Sequence, residues 1–228
     1  MSLINQFNQV FPVFAAQAIQ GQNCVIHERQ NEGQGHTFCT MTFQQFNGWQ
    51  FPADLPKTLT SIYNMSQEGM SQFEKYHDVL RHDCDGVLCV EEQDRWVLYV
   101  VELKSAFSSE SITKAKDQIV GSCLKVMSLF RHLQAYVSKS MIEVRGVIVA
   151  YEATTEALNA ISKLNDSRGA FCTRLNADNF YKMPQTRCEK FWNPLLMPGD
   201  IAIAYVPVPK GQPTYTMDFS VLETMFRR

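Results

Sequence analysis

The sequence predicts an α/β protein with a mixed β-sheet flanked by helices. Three observations carry this. Two β-rich runs, Cys84–Val90 and Trp96–Lys104, flank the polar stretch at 91–95. Residues 110–137 then carry Ile112, Ala115, Ile119, Cys123, Val126, Phe130, Leu133 and Val137, in steps of three or four, the helical period. Val144–Tyr151 follows as a nearly continuous apolar run, the pattern of a strand covered on both faces. Strand–strand–helix–strand is the order of an α/β mixed sheet.

The remaining elements fit around that core. Residues 3–20 predict a short amphipathic helix ending at Gly21. Residues 24–30 and 36–43 predict strands joined by the turn-prone stretch 31–35. Pro52 and Pro56 punctuate a loop, and 57–75 has a loose helical spacing. Residues 76–82 are ambiguous between strand and loop. Ser108, Ser109 and Ser111 are candidate N-caps for the long helix. Thr155–Leu164 predicts a second helix, Phe171–Leu175 a short strand and Ile201–Val206 a late strand. The proline-rich last third reads as decoration. One domain over 1–228 is expected, with a core at about 57–175, an N-terminal helix-and-hairpin extension over 1–56 and a C-terminal decoration over 176–228.

Bulk composition excludes some functions. A net charge of −2 gives no global basic field. An anionic partner would have to be drawn by a local patch or by bound cations. The seven cysteines form no CxxC pair, which points to free, buried thiols in a reducing compartment. The first 20 residues lack a basic leader and a cleavage-like end, and no apolar run reaches the roughly 18 residues of a membrane span. The expectation is a soluble, cytoplasmic protein with no membrane partner.

The apolar hairpin carries the chemistry. A tight turn at Gln93-Asp94 sets Glu92 opposite Arg95. Counting back from there, Asp85 lies opposite Glu102 and Asp83 opposite Lys104. Residues two apart share a face, so all four point the same way. Their neighbours Val87–Val90 and Val97–Val101 are apolar on both faces, so these charges sit at the edge of a core. Burying unpaired carboxylates costs several kcal/mol, and close carboxylates repel. A divalent cation relieves both, and hard oxygen ligands suit Mg²⁺ or Mn²⁺. Asp85, Glu102 and the Leu103 backbone carbonyl are the candidate metal ligands. Lys104 beside them suits contact with a phosphate or an attacking water.

Asp85-Gly-Val-Leu, with sixteen residues between Asp85 and the Glu102 of Glu102-Leu103-Lys104, resembles the PD-(D/E)xK nuclease superfamily, the restriction-endonuclease-like enzymes. The match covers roughly residues 60–151. Cys84 stands where the family's proline would. The resemblance implies a restriction-endonuclease-like core and Mg²⁺- or Mn²⁺-dependent hydrolysis of phosphodiester bonds, with DNA the expected partner and RNA open to the same chemistry. Gln118, in the helix after the motif, is similar to the extra glutamine of the RecB-like and phage-exonuclease branches, and joins Asp85, Glu102 and Lys104 as a catalytic candidate. Two acids, Glu68 and Glu74, compete for the upstream helical acid. Asp83 and His82 are further accessory candidates. Lys114 and Lys125, on a polar helical face with Gln118 and Ser122, are candidates for substrate phosphates. A homodimer would suit cutting both strands of a duplex.

Two other readings stand beside this one. The first is a nuclease-like fold used as a binding or assembly module without catalysis. The second is an unrelated α/β protein whose charges form a structural ion cluster. His77 is a weaker acid–base candidate, and His27 and His36, with Glu28 and Glu32, mark a weaker metal candidate. Trp49, Trp96 and Trp192 read as core.

Overall fold

The apolar runs at 84–104 and 142–151 form the middle of one mixed sheet. The structure is a computed structural model and describes residues 2–28, 40–59, 61, 82–92, 95–134, 141–184 and 199–227. Its helices are α1 (Leu3–Val10), α2 (Ser109–Phe130), α3 (Thr155–Ser162), α4 (Ser167–Asp178) and α5 (Phe219–Met225), with a 3-10 turn at Pro12–Phe14. Its strands are β1 (Gln17–His27), β2 (Thr40–Gln50), β3 (Gly86–Glu92), β4 (Arg95–Lys104), β5 (Ile142–Tyr151), β6 (Phe180–Met183), β7 (Ile201–Val208) and β8 (Thr214–Asp218). The strand order is β1-β2-β3-β4-β5-β7-β6, with β8 paired to β2. The turn expected at 31–35 and the expectations for 62–81 lie outside the described residues.

The hairpin has the expected register. Glu92 pairs with Arg95 and the ladder runs antiparallel to Gly86 opposite Val101. β4 then runs parallel to β5, and β5 parallel to β7. α2 makes the crossover between β4 and β5. The Ser108 hydroxyl caps it, accepting the Ser111 N–H at 3.1 Å, a contact of a kind that contributes about 1 kcal/mol.

Both faces of β4 are covered. On one, Ile112, Ala115, Ile119, Cys123 and Val126 of α2 pack against Val87, Leu98, Val100 and Ile148. On the other, Leu88, Tyr99, Val101 and Val147 meet Cys24, Ile26 and Phe43 of the β1–β2 hairpin and Phe219 and Leu222 of α5. The hairpin reaches that second face by bending. Its register shifts between Gln20, Gln22 and Cys24. At the bend Gly21 and Gln45 take left-handed φ values of 64° and 53°, and such bulges increase local twist. Beyond the bend, Thr40–Gln44 of β2 takes β8 as a parallel neighbour, whereas Trp49 and Gln50 pair with β3.

Four expectations fail for physical reasons. The helix expected over 3–20 stops at Val10, because Pro12 has no N–H and biases Phe11 away from helical geometry; its second half is β1. The helix expected over 110–137 ends at Phe130, although Leu133 still packs into the core. The strand expected at Phe171–Leu175 is part of α4. Asp166 caps that helix by accepting the Arg168 and Gly169 N–H groups, and Phe171, Cys172 and Leu175 form its buried face. The last third is not decoration. β7 lies inside the sheet, and β8 and α5 close its second face.

Cys24, Cys84, Cys89, Cys123 and Cys172 are buried thiols in no disulfide, as expected. Burial pushes the Cys84 thiol up to about 12, away from reactivity. Trp96 is buried and stacks near Trp49 at 5.3 Å between ring centroids. No helix among the described residues is long and apolar enough to cross a membrane.

Candidate active site at the open end of the hairpin

The site lies at the carboxyl end of β4, where the backbone ladder to β3 stops. Past Gly86, Asp85 supplies the next rung itself. Its N–H donates to the Val101 carbonyl at 3.0 Å, and its carboxylate Oδ2 accepts the Leu103 N–H at 2.8 Å. Asp85 is 6% exposed, so this bond fixes a buried carboxylate against β4. A residue in an extended strand directs its N–H and C=O to the same edge. The Leu103 carbonyl therefore also faces the side where the ladder has ended. Open α/β sheets place ligands at such strand ends.

Glu102, 1% exposed, stands beside Asp85. Burial pushes its carboxyl well above the usual range. The Asp85 charge pushes the same way, Lys104 opposes, and Glu28 at the end of β1 adds a smaller push upward. The Lys104 ammonium bonds to Glu102 Oε1. Glu102 Oε2 is buried with no hydrogen-bond partner among the described residues.

Gln118 of α2 closes the arrangement. Its Oε1 accepts from Lys104 Nζ at 2.7 Å, and its Nε2 donates to the Asp83 carbonyl at 2.7 Å. Gln118 is thus no solvent-facing residue of a polar helix face. It ties the β4 lysine to the chain entering β3, and the structure brings together Asp85, Glu102, Leu103, Lys104 and Gln118 as the sequence suggested.

Other candidates fall elsewhere. Lys125 is fully buried and donates to Asp83 Oδ1 at 2.5 Å and to the His82 carbonyl at 2.9 Å. It has no surface to offer a substrate phosphate, which corrects that expectation. Asp83 is accordingly engaged by Lys125, and His82 offers the same ammonium its backbone carbonyl. Lys114 is exposed on α2 and stays accessible to a polyanion. The His27 ring lies 3.2 Å from the Thr40 hydroxyl. Glu68, Glu74, His36 and His77 lie outside the described residues. Sequence reasoning missed the burial of Ser122, which accepts the Cys84 N–H at 2.8 Å. Its spacing of four from Gln118 was the available signal.

Among the described residues no group of three or more His, Cys, Asp and Glu side chains forms a ready cation cage. The residues present nevertheless suit one cation that keeps several waters, as Mg²⁺ does. Two acids lie side by side, the Leu103 carbonyl points to the same open edge, and one buried carboxylate oxygen lacks a partner among the described residues. Comparison with protein-family models, curated proteins and solved structures returned no match.

Proposed function

We propose that the protein is a metal-dependent nuclease hydrolysing phosphodiester bonds in DNA, with a restriction-endonuclease-like core. The observation that carries this reading is the buried Glu102 Oε2 beside Asp85, without a hydrogen-bond partner among the described residues, with Lys104 bonded to the other Glu102 oxygen. The antiparallel β3–β4 pair, the α2 crossover and the parallel β4–β5–β7 run support the fold assignment.

In this reading Asp85, Glu102 and the Leu103 carbonyl hold Mg²⁺ or Mn²⁺. The cation would supply Lewis acidity toward a phosphate oxygen and acidify a bound water. Lys104 presents its ammonium to the negative charge that develops on the phosphate. Gln118 holds that ammonium in place. Lys114 adds an exposed cation on the same helix for the polyanion backbone.

Cleavage of linear, circular and single-stranded DNA in Mn²⁺ tests the proposal. Glu102→Ala and Lys104→Ala are each expected to lower the rate on the order of 10³-fold. Cleavage that persists in the purified double variant rules it out. One observation favours a second reading, a binding module of the same fold: Lys104 already neutralises one Glu102 oxygen. Calorimetry with Mn²⁺ separates the two, because the module would show no Mn²⁺ binding at high protein concentration.

A further inference from the structure

We propose that Ser122 and Lys125 are positioning residues that hold Asp85 in place through the chain segment leading into it. This rests on the metal-dependent reading of the site and assigns a role to residues outside it.

The segment 82–85 needs an external support. The regular β3–β4 ladder ends at Gly86. On its other edge β3 is paired at Cys89 and Leu88 with β2, and the Phe51 N–H reaches Val87. No described strand pairs with the outer edge of 82–85. α2 provides the support instead. Gln118, Ser122 and Lys125 follow one another in steps of four and three, which places them on one helical face. They engage consecutive residues of the segment. Lys125 Nζ donates to the His82 carbonyl and to Asp83 Oδ1, Gln118 Nε2 donates to the Asp83 carbonyl, and Ser122 Oγ accepts the Cys84 N–H.

Lys125 is an expensive way to support a loop. Desolvating an ammonium costs several kcal/mol even when it is paired, and an apolar side chain of similar volume is often as stable or better. Ser122 and Lys125 are both 0% exposed. Such a pair is explained by geometry better than by stability. It fixes three residues immediately before Asp85, whose backbone N–H donates to the Val101 carbonyl and whose carboxylate accepts the Leu103 N–H. It also engages the Asp83 carboxylate.

The Leu103 amide reports on this directly, because Asp85 Oδ2 accepts its hydrogen. Amide hydrogen exchange is measured on the metal-free full chain for wild type, Ser122→Ala, and Asp83→Asn/Lys125→Met. The double variant removes the acid that Lys125→Met alone would strand. Leu103 is expected to exchange on the order of tenfold faster in both variants, with Val147 in β5 unchanged. In the cleavage assay the Mn²⁺ half-saturation rises and kcat falls, each about 10-fold or more, while KM for DNA stays within about twofold. Wild-type Leu103 protection and Mn²⁺ half-saturation in both variants would overturn the assignment. Absence of Mn²⁺ binding and cleavage in wild type would instead overturn the nuclease reading, and Leu103 exchange would still decide whether this helical face holds Asp85.

Discussion

The β3–β4 hairpin carries a charge cluster at each end, and the two are built differently. At the turn end, Arg145 is 5% exposed and donates to Glu143 at 2.7 Å, to Glu92 at 3.0 Å and to the Tyr99 hydroxyl at 2.5 Å. Arg95 takes the other Glu143 oxygen at 2.7 Å. Two acids face two guanidinium groups, and Arg145 also lies over the Tyr99 and Phe226 rings. At the open end, Lys104 bonds to one oxygen of Glu102 beside Asp85, and Glu102 Oε2 has no hydrogen-bond partner among the described residues. Each cluster has a buried charge at its centre, Arg145 at one end and Glu102 at the other, and both join the same strands. Charge balance tells them apart. The balanced cluster completes itself within the fold, and the unbalanced one is where the proposed cation would bind.

The largest expected effect tests the balanced end. Arg145→Met leaves Glu92 and Glu143 to Arg95 alone, leaves the buried Tyr99 hydroxyl without that donor and removes the cation from the two rings. Breaking a buried pair in this way destabilises by about 3 kcal/mol, read by urea unfolding. Mn²⁺ binding by the folded variant should match wild type. If Mn²⁺ affinity falls with stability, the two ends are coupled and the division of labour is wrong.

A smaller effect of opposite sign is expected at the open end. Glu102→Gln keeps an acceptor for Lys104 and deletes the charge that burial and Asp85 disfavour. The metal-free protein should gain about 1 kcal/mol, read by thermal unfolding in EDTA, and should no longer bind Mn²⁺. A loss of stability would mean that Glu102 and Lys104 are a structural ion pair like those at the turn end.

This division was half legible in the sequence. The turn at Gln93-Asp94 and the alternation of side chains along a strand were enough to set the register, because a one-residue slip would send one strand's charges to the other face. Asp85, Glu102 and Lys104 followed from that register, and Gln118 from its place in the helix after the motif. Lys125 was misread because a lysine at helical spacing with Gln118 and Ser122 resembles a solvated face. Only the fold shows that the segment 82–84 packs there and buries it. Arg145 escaped notice inside a run of apolar residues, since its partners Glu92 and Tyr99 are 53 and 46 positions away. Long-range pairing of this kind leaves no local period. Pro12 and the Asp166 cap, by contrast, were local signals that outweighed the composition around them.

The smallest effect concerns how far the balance at the turn end extends. Glu223 of α5 is held above the ordinary carboxylate range by burial first and by Glu92 next, while Arg227 and Arg145 pull it down. A carboxyl whose folded pKa is raised binds its proton more tightly in the folded state than in the unfolded chain. Its contribution is therefore present at low pH and is lost as pH rises through the usual carboxylate range to the raised value. Stability of the metal-free protein should fall over that interval, and Glu223→Gln should flatten the slope. Arg227→Ala removes one of the two opposing charges, so it should steepen the slope and extend it to higher pH. Unfolding midpoints across the acidic range decide this. A slope that ignores Arg227 would place Glu223 outside the cluster and confine the balanced network to β3, β4 and β5.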